Sequence, residues 1–372
     1  MMKRREFLTT AAVAATTAAC SGKPGAADAG AAAGSSARTA KQAEFRWKLV
    51  TTWPPNFPGL GTGATQFAET VEKCSGGRIR IKVYGAGELI PAFEVFDAVS
   101  RGTAELGHGA SYYWKGKAES ASFFTTVPFG LTATEMNAWL YFGGGLELWR
   151  EVYKPFGVLP APCGNSGCQM GGWFNKEINS VADLKGLKMR IPGLGGEVLA
   201  RAGGTPVSLP GSEIFTTLAS GGIDAAEWIG PYNDLAFGLY KAAKYYYYPG
   251  WHEPGSTLEC VINQKAFDSL PEDLQQIVLT ACRAVNDTML AEFNARSIDA
   301  LDQLVNVHKV QLRAFPSDVL KLLRELSQQI LQEKAASEPL FRKVYESFSK
   351  FERGVANWTR IGDQAIVNAR TL

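Results

Sequence analysis

Two glutamates in apolar or aromatic surroundings are the side chains best suited to chemistry in this sequence. Glu227 lies in the small and apolar run 223–231, and Glu253 follows Trp251 and His252. A carboxylate placed inside such a run is costly unless a cation or hydrogen-bond donors meet it. If both share one site, they repel each other by about 4 kcal/mol at ~4 Å and an effective dielectric constant of ~20 unless a cation lies between them. Three interpretations follow: the two glutamates bind a metal ion, they act as an acid and base pair of the glycosidase kind, or they are unrelated surface residues.

The choice of ion follows from the ligand atoms. Oxygen ligands select a hard ion such as sodium, calcium or magnesium over zinc. The three histidines, His108, His252 and His308, do not form a recognised ligand spacing. No Ser, Cys or Lys lies in a recognisable nucleophile motif, so covalent catalysis has no starting point.

Two more polar residues stand among glycines. Arg190 ends a predicted strand just before Pro192 and Gly193, where a guanidinium can hold a planar carboxylate through two parallel hydrogen bonds. Gln169 lies in a glycine-rich segment, and its amide offers a carbonyl to a metal and an NH2 group to a ligand oxygen. The alternatives are an ordinary surface arginine at a strand end and a glutamine that bonds only its own loop.

The elements that must position these residues form an α/β pattern. Strands and helices alternate over 44–130, which predicts a first lobe with a parallel core, completed by part of 225–260. A second α/β lobe is expected over 131–224, with a strand at 156–162 near its start. Helical periodicity over 261–372 predicts long helices that brace both lobes.

The N-terminus has the features of an export signal. In residues 1–20, the paired Arg4 and Arg5 precede an uncharged run about half the ~20 residues that a membrane span needs. The arginine pair resembles the twin-arginine type, and Cys20 resembles a lipoprotein cleavage site; cleavage after a nearby small residue is the alternative. Residues 21–43 are mostly Gly, Ala and Ser, which predicts a flexible linker. We therefore expect a periplasmic protein, lipid-anchored if Cys20 is modified.

Charge and cysteine content restrict the classes of partner and the disulfide bonds that can be expected. The formal net charge is +2, and no basic cluster stands out beyond the leader, which argues against nucleic-acid binding. Apart from Cys20, five cysteines remain. Cys163 and Cys168 could close a small loop in an oxidising compartment, or all five could be small buried hydrophobic residues.

Several segments resemble the solute-binding component of a tripartite ATP-independent periplasmic (TRAP) transporter: 183–193, 111–114 and 226–231, with Glu253 downstream. The Glu-Trp pair and the later glutamate resemble the subgroup that binds 2-oxo acids such as pyruvate, or 2-hydroxy acids such as lactate, together with a metal ion. The resemblance implies an α/β, two-lobed periplasmic binding protein fold with long bridging C-terminal helices.

The resemblance also implies residue roles. Arg190 would hold the ligand carboxylate, Trp228 would offer its main-chain carbonyl to the ion, and Tyr112 or Tyr113 would cover the ligand. It assigns ligand contacts to Gln169, Arg190, Tyr112, Tyr113, Trp228 and Glu253, and ion contacts to Gln169, Glu227, Trp228 and Glu253.

The resulting prediction is a binding protein and not an enzyme. It would bind a small monocarboxylate with sodium, or with calcium, and deliver it to the small and large membrane subunits of the transporter. A homodimer through the C-terminal helix is implied for some members. We also expect Arg190→Ala to abolish binding with little change in melting temperature. The alternatives are a sensory ligand-binding protein and an enzyme that uses Glu227 and Glu253 as an acid-base pair.

Overall fold

The computed structural model describes residues 44–370. The predicted export signal, Cys20 and the linker therefore lie outside the described residues. The strands, numbered in chain order, are β1 (Phe45–Thr51), β2 (Ile79–Tyr84), β3 (Leu106–Gly109), β4 (Val158–Asn165), β5 (Gly172–Phe174), β6 (Lys188–Arg190), β7 (Thr205–Val207), β8 (Ala225–Ala226), β9 (Tyr245–Tyr248), β10 (Thr257–Asn263) and β11 (Gln311–Ala314).

The α-helices lie between and after these strands. They are α1 (Leu60–Cys74), α2 (Val95–Ser100), α3 (Ala133–Phe142), α4 (Gly145–Tyr153), α5 (Gly193–Arg201), α6 (Gly211–Ala219), α7 (Pro231–Phe237), α8 (Gln264–Asp268), α9 (Glu272–Asp302), α10 (Ser317–Ser337), α11 (Pro339–Ile361) and α12 (Asp363–Ala369). Among the described residues, no helix combines the length and apolar character needed to cross a membrane.

The strands form two sheets. The first sheet has the order β2-β1-β3-β10-β4, and the second has the order β11-β9-β5-β8-β6-β7. In the first sheet β1 pairs in parallel with β2 and β3, whereas β10 runs antiparallel to β3 and β4. In the second sheet β6 is parallel to β7 and β8, and β5 is antiparallel to β8 and β9. Both sheets are thus mixed, with a parallel part in each.

Local sequence explains where the elements stop. The α1 helix buries Phe67 and Val71 on one face and ends at Cys74. It cannot continue because Gly76 and Gly77 adopt positive φ angles of 62° and 80°, a region that favours glycine. The chain then turns directly into β2, which lies beside β1.

The C-terminal region contains the long helices that the sequence predicts. α9, α10 and α11 have 31, 21 and 23 residues. α9 packs on β4 and α1 and also touches α7, while α10 packs on α5 and α11 packs on α3 and α4. This group of helices therefore contacts the first sheet through β4, and α5 and α7, which follow strands of the second sheet. The α/β fold class with long C-terminal helices is confirmed.

Several strand assignments differ from the sequence-based expectation. β4 lies in the first sheet beside β10, although its pattern placed it in the second lobe. β11 completes the second sheet within a region expected to be wholly helical. β8 has only two residues, Ala225 and Ala226, where a longer strand was expected. Alternation indicates that a segment is a strand but does not name its partner, and β11 is too short to show a period between two long helices. The domain boundaries near 130 and 260 stay predictions.

The five cysteines of the described region are free thiols. Cys163, Cys260 and Cys282 are buried, whereas Cys74 and Cys168 are exposed. The loop-closing pair of Cys163 and Cys168 is therefore not formed. The alternative, five buried cysteines, is right for the three that pack in the interior.

Candidate functional site

The site lies where β6 and β8 end. The two strands pair in parallel, with Arg190 beside Ala226, so the residues that follow them meet at one edge of the second sheet. The backbone N–H of Glu227 donates to the carbonyl of Arg190 at 3.2 Å. Gln169, just before β5, donates its backbone N–H to the carbonyl of Glu253 at 3.1 Å. Sheet pairing and loop hydrogen bonds thus bring together the four polar residues that the sequence singled out.

Arg190 and Glu227 form a buried ion pair. Arg190 Nη1 donates to Glu227 Oε1 and, at 3.1 Å, to the Glu227 carbonyl, while Nε donates to the Leu209 carbonyl at 3.2 Å. Their side chains are 1% and 0% exposed. Burial acts to lower the pKa of Arg190, but the charge of Glu227 outweighs it and raises the pKa above its usual value. The guanidinium also lies 5.3 Å from the ring of Trp228.

Glu253 is the second buried acid. Its Oε2 accepts hydrogen bonds from Gln169 Nε2 at 2.8 Å and from Ser256 Oγ at 2.5 Å. Burial raises the pKa of Glu253 to about 7, and the charge of Glu227 adds to that effect. The two carboxylates therefore repel each other across the site, as the sequence argument expects for a shared site.

His252 joins this acidic pair, and the sequence analysis missed it. Its Nε2 lies 3.3 Å from Glu227 Oε2. Glu227, His252 and Glu253 each offer a ligand atom, and these atoms lie within 4.8 Å of one another. The spacing rules for histidine ligands gave no sign of it. The adjacency of His252 to Glu253 is the signal that could have found it.

The donor set fits a hard cation. Gln169 Oε1 is buried and has no hydrogen-bond partner within residues 44–370. Gln169 bonds Glu253, which offers a ligand atom within 4.8 Å of one from Glu227. An amide oxygen and two carboxylates are the kind of donor set that sodium and calcium prefer. The unpaired Nδ1 of His252 shows that its ring also has bonding capacity to spare.

Aromatic residues close one side of the site. Tyr113 OH accepts from Arg190 Nη2 at 3.4 Å, and Tyr112 packs edge-on against Tyr113 at 4.8 Å. Burial raises the pKa of both phenols. Trp228 contacts Trp53 and Phe57 edge-on at 6.3 Å and 6.2 Å. These contacts hold both tyrosines and Trp228 next to the ion pair.

A cavity of about 270 Å³ adjoins these residues, and we refer to it as the cleft cavity. It lies between Tyr112, Tyr113 and Lys115 on one side and α5 with the turn 191–193 on the other. Its walls therefore come from the segment after β3, in the first sheet, and from elements of the second sheet. A small organic ligand has room here. Arg190 does not line the cavity itself, but it contacts Tyr113, which does.

A comparison with protein families decides the class of this molecule. The model of the family described as bacterial extracellular solute-binding protein, family 7 (DctP), matches residues 49–338. The chain belongs to this family. The prediction of a TRAP solute-binding protein, and of a binding protein and not an enzyme, is confirmed.

Similar proteins span nearly the same length as this family 7 protein. A Nostoc protein described as monocarboxylate 2-oxoacid-binding periplasmic protein is 44% identical over 99% of this chain and 98% of its own length. A TRAP solute-binding protein from Colwellia psychrerythraea, with bound calcium and pyruvate, is 45% identical with a TM-score of 0.85, covering 87% of this chain and 99% of its own. One from Pseudoalteromonas atlantica, with bound sodium and pyruvate, has the same identity and TM-score and covers 87% and 98%.

Proposed function

We propose that the protein binds a small 2-oxo or 2-hydroxy monocarboxylate such as pyruvate, together with a sodium or calcium ion, and delivers it to the membrane subunits of a TRAP transporter. The observation that carries this proposal is the buried group of Glu227, Glu253 and Gln169. In the part of the chain that the structure describes, the amide oxygen of Gln169 has no hydrogen-bond partner. Similar proteins with bound pyruvate and calcium or sodium support the same ligand class.

The ion would be held by oxygen atoms of this group. Side-chain oxygens of Glu227, Glu253 and Gln169 fit that role, and the main-chain carbonyl of Trp228 is the fourth ligand we assign. When bound, the ion supplies the positive charge that lets an organic anion stay beside two carboxylates. Without it, two glutamates, one arginine and a monoanion would sum to a charge of −2.

Arg190 would bind the ligand carboxylate through one of its two terminal nitrogens. Nη1 is used by Glu227. Among the described residues, Nη2 has only Tyr113 OH as a partner, at 3.4 Å, which is longer than a normal N–H···O bond. Nη2 is therefore the donor that we assign to the ligand. Tyr112 and Tyr113 would then cover the ligand from the other wall of the cleft cavity.

Two finer points rest on exposed or undescribed parts of the chain. We propose that residues 1–20 act as a twin-arginine export signal and that Cys20 is a lipid attachment site, so Cys20→Ser should release the protein from the membrane fraction.

We also propose a homodimer through the C-terminal helices. Trp358 and Ile361 on α11 are 68% and 66% exposed, and Ile366 on α12 is 53% exposed, so a second copy of the chain could cover apolar side chains there.

Calorimetry tests the central proposal. Pyruvate is titrated into protein that has been treated with a chelator in sodium-free buffer, and again after calcium or sodium is restored. We expect heat of binding only with the ion present, because the anion otherwise faces Glu227 and Glu253. Equal affinity with and without both ions would refute the proposal.

A further inference from the structure

Two charged side chains meet across the mouth of the cleft cavity. Lys115 follows the short 3-10 helix 111–114, and Glu197 lies on α5. Lys115 Nζ is 2.8 Å from Glu197 Oε1 and donates to the Gly193 carbonyl at 3.1 Å. The segment after β3, which carries Lys115, is therefore joined to α5, the helix that follows β6 of the second sheet.

A second link uses the other oxygen of the same glutamate. Lys334 Nζ, on α10, lies 3.0 Å from Glu197 Oε2 and also bonds Glu119, which begins the 3-10 helix 119–124. Lys115, Glu119, Glu197 and Lys334 are named here the closure cluster. Two positive and two negative charges make it neutral, and both carboxylate oxygens of Glu197 have a cationic partner.

The cluster is less exposed than an ordinary surface ion pair. The side chains of Glu197 and Lys334 are only 28% and 19% exposed. Burial acts to raise the pKa of Glu197, yet Lys115 and Lys334 outweigh it and hold that pKa below its usual value. Partial burial reduces screening by solvent, so these pairs contribute more than exposed ones.

The closure cluster is connected to the proposed ligand contacts by short stretches of chain. Lys115 is two residues after Tyr113, and Gly193 is three residues after Arg190. A Cβ added at Gly193, whose φ is 63°, would lie 3.3 Å from Tyr112, so the two walls are in close contact there. Parting Tyr113 from Arg190 therefore requires that Lys115 leave Glu197 and Gly193.

We propose that the closure cluster consists of positioning residues that set how long a ligand stays in the cleft cavity. This inference rests on the proposed function, because it takes the ligand to lie between Arg190 and Tyr113. A ligand can leave only when the two walls separate, and separation breaks the contacts of Glu197. Loss of these partly buried charge contacts acts on the rate of dissociation, because they must break before the walls separate.

The test is the release of radiolabelled pyruvate from calcium-loaded protein after dilution into excess unlabelled pyruvate. Glu197→Gln keeps the shape of the side chain and removes its charge, and we expect release about five- to tenfold faster than from the wild type. Lys115→Gln, on the other wall, should accelerate release in the same direction. The double variant should be little faster than Glu197→Gln alone, because both substitutions remove the same Lys115–Glu197 pair.

The chain offers a matched control. Arg201 and Glu333 pair at 2.7 Å and join α5 to α10, but they do not reach the segment after β3. Glu333→Gln should therefore release pyruvate at the wild-type rate. Equal rates for the wild type, Glu197→Gln and Lys115→Gln would overturn the inference, as would a Glu333→Gln variant as fast as Glu197→Gln. Failure of the wild type itself to retain pyruvate with calcium would instead overturn the proposed function.

Discussion

Arg190, the last residue of β6, forms an ion pair with Glu227, which follows the parallel strand β8, and both side chains are almost completely buried. Burying two charges costs several kcal/mol each, and here they offset each other only if both are present. The stability of the folded protein therefore depends on the partner of Glu227: this buried carboxylate is tolerated because Arg190, or a bound cation, neutralises it. This single relationship determines what substitutions at the site should do.

Arg190→Ala should destabilise the ion-free protein by about 3–5 kcal/mol, since it leaves the buried Glu227 without its guanidinium partner. From the sequence alone we expected Arg190→Ala to change the melting temperature little. We now expect a larger effect, because the structure shows that the ion pair of Arg190 and Glu227 is buried. Urea unfolding of the chelated protein measures the effect, with the exposed Arg201→Ala as control. In a Glu227→Gln background the same substitution should cost far less; an undiminished loss would contradict the account.

Gln169→Leu should weaken calcium binding by about 10–100-fold, because it removes the orphaned amide oxygen that we assign to the ion. Glu253 keeps the hydrogen bond from Ser256, so the folded protein should lose little stability. Calorimetric titration of calcium into chelated protein is the measurement, with the exposed Gln332→Leu as the comparison. Unchanged calcium affinity in Gln169→Leu would exclude Gln169 as an ion ligand.

Gly211→Ala should weaken pyruvate binding through Trp228. A Cβ at Gly211 would lie 2.6 Å from the Trp228 ring, so the ring and the main chain next to Glu227 must shift. Gly230 is a matched control in the same region, because a Cβ there meets nothing within 4 Å and its φ of −177° suits any residue. Calorimetry should show reduced affinity for Gly211→Ala only. Equal affinities for both variants would show that the Trp228 position does not matter.

Glu259 makes stability depend on pH. It is fully buried on β10, accepts from Trp114 Nε1 and from Tyr153 OH, and burial raises its pKa to about 8. The unfolded chain keeps a pKa near 4.5, so the protonated acid contributes stability that is complete below that pH and is lost as the pH rises through 8.

Glu259→Gln removes this dependence while it preserves the shape of the side chain. The variant should be more stable than the wild type near pH ~8.5 by about 2–4 kcal/mol, and the difference should vanish near pH ~4.5. Unfolding free energies of both proteins across this range supply the test, with the exposed Glu325→Gln as control. A constant difference at all pH values would mean that Glu259 does not titrate as its burial implies.

The sequence indicated which residues form the site, but not the contacts that hold them together. Gln169, Arg190, Glu227 and Glu253 could be singled out because each is a polar residue in an apolar or glycine-rich run, and the fold brings them together. His252 escaped because its contact with Glu227 comes from the loop that follows β9, which no spacing rule encodes. The ion pair of Arg190 and Glu227 was missed for a related reason: it depends on the parallel pairing of β6 with β8.

The sequence also did not indicate which sheet each strand joins. β10 (Thr257–Asn263) links β3 to β4, a pairing that its own residues do not indicate. β11 gave no usable signal, because four residues between long helices carry too little pattern. Pairing partners arise from packing over the whole chain, and a single sequence records them only weakly.

A crystal structure of the protein with calcium and pyruvate, with the ion located by its anomalous scattering, tests the proposed site itself. We expect one calcium peak bounded by oxygens of Glu227, Glu253 and Gln169, and a pyruvate carboxylate on Arg190 Nη2. A calcium peak away from these three oxygens, or a pyruvate whose carboxylate does not contact Arg190, would contradict it.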